Sequence, residues 1–166
     1  MFSIDNYIAS IQINLEKSTS TLVEELQKIV SYKIDDAVDL VDFSTFTNPI
    51  RFELSIMMFS MDKNANEVFG EDVTPNNFAG SVEVLASTSY YHLLDNQQES
   101  FWDFYEQNDE ELASKEQQIF TDWFANCWIK AGGKQFVLPV YFGFHGEASS
   151  YDLQNAKFVE DEEKWV

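Results

Sequence analysis

The chain has a single cysteine, two histidines, three prolines and six glycines, and only ten lysines and arginines against twenty-nine acids. Each shortage excludes something. With Cys127 alone there is no internal disulfide and no metal site built on paired thiolates. No Pro-, Gly- or Ser-rich stretch marks a linker, and no internal repeat is present, so one domain spanning residues 1–166 is expected. No apolar run nears the 18 or so residues that a membrane span needs. Met1-Phe2-Ser3-Ile4-Asp5 lacks the basic and apolar regions of a secretory signal, which makes the reducing cytoplasm the expected location. The shortage of bases leaves a formal net charge of −19, which repels nucleic acid and anionic membrane surfaces and steers the molecule toward basic ones.

Catalytic signatures are missing as well. There is no G-x-G-x-x-G, G-x-x-x-x-G-K, G-x-S-x-G, H-E-x-x-H or EF-hand loop. His145-Gly146-Glu147 has the H-x-E form of zinc nucleobase deaminases, but that chemistry also needs a P-C-x-x-C pair that one cysteine cannot supply. His92, among Tyr90, Tyr91 and Leu93, reads as a hydrogen-bonded structural histidine, and Cys127, on an apolar helical stripe, reads as a core residue. No cofactor or metal is expected, and the chain reads as a non-enzyme.

What the sequence does hold is apolar and aromatic material, 45% and 16% of its residues, which is enough for a core despite the charge. Ile4, Ile8, Ile11, Leu15, Leu22, Leu26 and Ile29 keep one helical phase, and the spacing predicts one long helix over 4–32. The rival is a break with Thr21 as N-cap and Glu24 closing a capping box. Residues 38–47 and 50–58 read as strands joined by a turn at Thr47-Asn48-Pro49. Residues 81–94 fit a strand or a helix. A short helix around Phe101–Tyr105 and an amphipathic helix near 109–131, started by Asn108-Asp109 and stopped at Gly132-Gly133, follow. Phe136, Leu138, Val140, Phe142 and Phe144 alternate as a strand that Pro139 assigns to a sheet edge or a bulge. Short strands at 150–153 and 157–159 flank a turn at Gln154-Asn155. The fold class is α+β: an antiparallel sheet of hairpins packed against the N-terminal helix and the helix near 109–131.

The acids are spread along the chain, with dense runs at 103–111 and 160–163. Four aromatics within Phe101–Tyr105 cannot share one helical side, so one or two should reach another surface. Aromatics ringed by acids are what a protein-binding site presents, and the candidate partner-binding residues are Trp102, Asp103, Glu106, Asp109, Glu110, Glu111, Glu160, Asp161 and Glu162.

The segment Trp123-Phe124-Ala125-Asn126-Cys127-Trp128-Ile129-Lys130-Ala131-Gly132-Gly133, the aromatic strand to Phe144 and the turn Tyr151-Asp152-Leu153-Gln154-Asn155 resemble the C-terminal part of small bacterial cytosolic immunity proteins, the partners of polymorphic toxins. That resemblance implies action by occlusion, no catalytic residues, and a basic partner such as a nuclease toxin. Two alternatives remain open. One is a DNA-mimic inhibitor of a nucleic-acid-binding protein, and the other a metal-dependent enzyme using His145 and carboxylates.

Overall fold

In the computed structural model, which describes residues 1–165, four helices cover one face of a six-stranded sheet. Helix α1 (Ile4–Glu16) opens with the Ser3 hydroxyl accepting the Asn6 N–H, and buries Tyr7, Ile11 and Leu15. Helix α2 (Thr19–Ser31) buries Leu22, Leu26 and Ile29 on the continuation of the same stripe. The expected unbroken helix is therefore corrected, and so is the rival break at Thr21. The interruption falls at Lys17 and Ser18, whose N–H groups bond to the carbonyls of Asn14 and Leu15, three residues back, so the last turn tightens and the axis bends. Ser and Thr side chains compete with helical backbone bonding, which suits Ser18-Thr19-Ser20-Thr21 to such a joint. The bend also sets Thr19 under the last helix, where its hydroxyl accepts the Trp123 indole N–H at 2.9 Å.

Strands β1 (Leu40–Asn48) and β2 (Glu53–Met61) form the expected hairpin, and β3 (Ser81–Ser89) resolves the ambiguous 81–94 stretch as a strand followed by irregular chain. In the β1–β2 turn the Asn48 side-chain oxygen accepts the N–H groups of Ile50 and Arg51. Phe52 then takes a left-handed φ of 53°, a position an aromatic residue occupies at a conformational penalty, and its ring enters the core. Ile50, expected to begin the buried alternation, stays exposed in the turn. Helices α3 (Gln98–Gln107) and α4 (Asp109–Lys130) then carry the chain back across the sheet.

The strand order β3-β2-β1-β4-β5-β6 holds the main departure from expectation. β4 (Val140–Phe144) lies beside β1 and parallel to it, with Val41 opposite Val140, Phe43 opposite Phe142 and Thr45 opposite Phe144. β5 (Ser149–Asp152) and β6 (Lys157–Glu160) extend the sheet by antiparallel pairing. The sheet is thus mostly antiparallel around one parallel central pair. The edge assignment drawn from Pro139 is corrected too. Proline sits just before β4, where its carbonyl accepts the Val41 N–H at 3.0 Å and its missing N–H is never asked for, so an interior strand can follow it.

Alternation along the strands separates the two faces. Val41, Phe43, Leu54, Ile56, Met58, Val140 and Phe142 join the helical residues in one core. The opposite face carries Asp42, Tyr141, Gly143, Ser150 and Asp152, and residues 161–165 fold over it as a short 3-10 turn. There the Lys164 ammonium, with its side chain only 4% exposed, donates to Asp42 Oδ2 at 3.0 Å, lies 3.1 Å from Asp161 Oδ1 and sits 5.4 Å from the centre of the Tyr141 ring. Burial raises the Asp42 pKa and Lys164 draws it back.

Two outcomes follow from this packing. A Cβ on Gly133 would overlap the buried indole of Trp128, so Gly133→Ala should destabilise by about 2 kcal/mol in denaturant titration. Lys164→Met leaves Asp42 without its cation and should also cost about 2 kcal/mol, with Asp42→Asn in the same chain recovering most of it.

Candidate functional site

The expected partner-binding residues fall into two groups that the fold separates. Asp103, Glu106, Asp109, Glu110 and Glu111 are all exposed along α3 and the first turn of α4, on the helical side. Glu160, Asp161 and Glu162 lie at the end of β6 and in the 3-10 turn that covers the other face. Asp161 is engaged internally: besides Lys164, it accepts the Ser150 hydroxyl at 3.1 Å. The α3–α4 acids are different. Among the described residues, ion pairs engage only Glu25, Asp42, Glu111 and Asp161, so four of the five ridge acids face solvent without a base.

The α3 aromatics do meet another surface, but it is the molecule's own. Phe101 is fully buried among Tyr7, Phe52 and Tyr91, and Trp102 is half-buried with its ring stacked on Phe52 at 5.8 Å. Phe104 stacks on Phe2 and packs with it on Phe101. Trp123, Phe124 and Trp128 are core or near-core residues as their spacing implied, and Cys127 is buried, its thiol pushed up to about 11 chiefly by burial. His92 departs from expectation. It is exposed in the irregular chain after β3, with no side-chain hydrogen bond among the described residues, because the neighbouring Tyr90 ring takes the buried position.

A cleft that sequence reasoning missed adjoins the acidic ridge. It lies at the carboxyl ends of the parallel strands β1 and β4, under the middle of α4, with a volume of about 280 Å³. Thr45, Phe144 and His145 form its floor and one lip, Tyr90, Tyr105 and Phe120 its aromatic walls, and Glu116 its inner acid, while Glu147 stands at the rim. The His145 ring stacks on Phe46 at 4.6 Å, and the His145 backbone N–H donates to the Thr45 carbonyl, so the loop after β4 continues from the β1 ladder. Among the described residues no Lys or Arg lines the cleft.

Two features make it chemically unusual. Thr45 is 2% exposed, and its hydroxyl is closed off beneath the cleft with no hydrogen-bond partner among the described residues, a state that an apolar residue of the same shape would avoid. Glu116 receives the Tyr105 hydroxyl at 2.6 Å, and the Tyr7 hydroxyl approaches it without hydrogen-bond geometry and stays unpartnered. Burial dominates and raises the Glu116 pKa, with the phenols pulling the other way. The carboxylate in turn helps burial hold the Tyr7, Tyr90 and Tyr105 phenols protonated well above their ordinary range.

The sequence did carry a trace of this site. Leu112, Glu116, Phe120 and Phe124 recur at steps of four, so an acid interrupts the buried stripe of α4. Asp109, Ala113, Glu116 and Gln117 share that side of the helix, and the Asp109 charge contributes to raising the Tyr105 phenol, so the ridge runs into the cleft. A second hollow, lined by Asp35, Asp36 and Asp39 near Phe136, lacks such loose ends: Asp35 accepts the Ala37 N–H and Asp39 the Lys63 N–H. Among the described residues no three His, Cys, Asp or Glu side chains stand close enough to share a metal ion, and His145 with Glu147 forms no such group.

No family model, no curated protein and no solved structure matches the chain, so the site is read from its geometry.

The raised Glu116 pKa sets a pH dependence. A carboxyl whose folded pKa exceeds its ordinary value of 4.5 contributes stability below that pH, and the contribution is lost as pH rises through the folded value. Glu116→Gln keeps an oxygen for Tyr105 and removes the charge. Thermal melts should show the variant more stable than wild type at neutral pH, with the gap narrowing as pH falls through the raised folded value and gone below 4.5.

Proposed function

We propose that this is a non-enzymatic binding protein that neutralises a basic protein, a toxin domain such as a nuclease, by covering its positive surface with the α3–α4 ridge. The observation that carries this reading is the set of exposed, base-free acids at Asp103, Glu106, Asp109 and Glu110 on a rigid helical corner. Charge that is spread for solubility alone has no need of such a concentration, and like charges this close repel one another unless a counter-surface meets them. The corner itself is held by the packed rings of Phe101, Trp102 and Tyr105, so the ridge is presented without the entropy of a flexible acidic tail. The aromatic ring of Trp102, only half used by Phe52, supplies contact area at the same corner. The resemblance to immunity proteins supports the same class of partner.

The tail acids take a smaller part in this reading. They stand on the other side of the sheet, and Asp161 is already paired. A partner docked on α3–α4 would not reach them without wrapping the domain.

The test is direct. The product of the gene adjacent to this one should be a toxin with a basic domain, and the two should co-purify. In surface plasmon resonance against that domain, neutralising Asp103, Glu106, Asp109, Glu110 and Glu111 together should slow association by an order of magnitude or more at low salt, and flatten its salt dependence. Neutralising Glu160 and Glu162 should change little. Binding that ignores both salt and the five-fold variant would overturn the proposal.

A further inference from the structure

We propose that the groove at the amino ends of β1 and β4 is a docking site for an extended, basic segment of a protein partner. The segment pairs with the free backbone of Ile34 and Val137 and sets its Lys or Arg side chains against Asp36 and Asp39. This is the second hollow described above: its acidic side chains are tied within their own turns, but its backbone is not. The inference does not rest on the ridge, which adjoins the cleft at the opposite, carboxyl ends of the same two strands.

β1 and β4 are neighbours from Val41 and Val140 onward, and upstream of that point the two chains part. One is held by Phe78. Ile34 forms a parallel bridge with it, in which the Phe78 N–H donates to the Lys33 carbonyl and the Asp35 N–H to the Phe78 carbonyl. In such a bridge the bonds come from the residues on either side of the bridging one, so the N–H and C=O of Ile34 itself turn away from Phe78. The other chain is held by Gln154, whose side-chain amide donates to the carbonyls of Phe136 and Leu138. Phe136 is extended, and alternation along an extended chain turns the N–H and C=O of Val137 to the side away from Gln154. Among the described residues, neither Ile34 nor Val137 has a hydrogen-bond partner for either backbone group. Both line the groove, whose volume is about 600 Å³. Open backbone groups on both walls are a template for an added strand.

A strand suits these walls better than a helix, whose backbone bonds are already internal. Tyr32, Ile34, Val137 and Leu138 offer apolar contact, and the Val137 side chain, 89% exposed, serves no core. Charge then selects the sequence of the segment. Asp35, Asp36 and Asp39 line the groove against one base, Lys33, and none of the three acids is in an ion pair among the described residues. The carboxyl end of α2, at Val30 and Tyr32, adds the negative end of a helix dipole. An acidic segment meets repulsion here, and a second copy of a chain of net charge −19 meets it over its whole surface. The occupant that remains is an extended stretch in which Lys or Arg alternates with apolar residues, since successive side chains of a strand point to opposite sides.

The probe is the capped pentapeptide acetyl-Lys-Val-Lys-Val-Lys-amide, titrated into the full-length protein and followed by amide NMR. Saturable shifts are expected at Ile34, Asp35, Val137 and Leu138, and the counterpart with glutamate in place of each lysine should produce none. Methylating the backbone nitrogens of the valines, or of the lysines, removes the donors of one edge while keeping the charge. At least one of these two peptides should bind roughly ten-fold more weakly. Asp36→Asn combined with Asp39→Asn keeps the acceptor for Lys63 and should weaken binding and flatten its salt dependence. Val137→Pro, which deletes one N–H at an exposed position, should weaken it with spectra elsewhere unchanged. The variant neutralised at Asp103, Glu106, Asp109, Glu110 and Glu111 should bind the peptide in the groove as wild type does, which separates this site from the ridge. No saturable binding, equal binding of the glutamate peptide or of both methylated ones, or shifts confined to the ridge would overturn the inference. So would broadening of the groove resonances with protein concentration alone, which would mark a second copy of the chain as the occupant.

Discussion

The contact on which everything else depends is the stack of α4 on the parallel pair β1–β4. Phe124 lies flat against Phe142 at 4.4 Å and meets Phe43 at 4.9 Å, while Trp128 closes on Phe43 at 5.5 Å and on Phe136 at 5.4 Å. Each such pair adds about 1 kcal/mol beyond the area it buries, and together they fix the rotation and height of α4 over the sheet. With that settled, Glu116, two turns toward the N-terminus, must overhang the ends of β1 and β4. The cleft is therefore a consequence of core packing. Its acid is held in place by rings that lie in the core rather than in the cleft.

A second cluster sets the other boundary of the site. Phe52 accepts an unfavourable backbone conformation to reach Phe101, Tyr90, Tyr91 and Trp102, and its carbonyl accepts the Tyr90 N–H at 2.8 Å. The turn between β1 and β2 is thereby tied to the chain leaving β3 and to α3. Tyr90 and Tyr105, two of the aromatic residues that line the cleft, are both held by this cluster. One aromatic core thus shapes the ridge corner and the cleft wall together, so displacement of α3 would alter both surfaces at once.

How much of this was legible follows from what each signal encodes. Local periodicity records which side of an element is buried, and so the stripes of α1, α2 and α4, the hairpin β1–β2 and the burial of Cys127 were all readable. It does not record which strand lies beside which. The pairing of Thr45 with Phe144 joins residues nearly a hundred positions apart, and no feature of either strand specifies the partner or its direction, so the parallel pair and the cleft at its end were invisible. Pro139 misled because proline excludes a hydrogen-bonded N–H at one position only, and the strand starts after it. The joint at Ser18 escaped because its dihedrals stay in the right-handed helical region and the apolar phase runs through it unbroken. Of the cleft, the sequence displayed Glu116, as a charge within an apolar stripe, and His145 and Glu147, as an H-x-E pair, but not their meeting under α4, and a charge that interrupts a buried stripe carries more information than any count of surface acids.

The ridge and the cleft also differ in what their charge does to the protein that carries it. Exposed acids at the start of α4 are favoured by the helix dipole and well solvated, so Asp109, Glu110 and Glu111 burden the fold little and act mainly at a distance. Glu116 is partly withdrawn from solvent and not matched by a base, and its desolvation weighs against the folded state at neutral pH. An acid in that position is hard to explain by stability or solubility, since a leucine or glutamine would serve the stripe of α4 better.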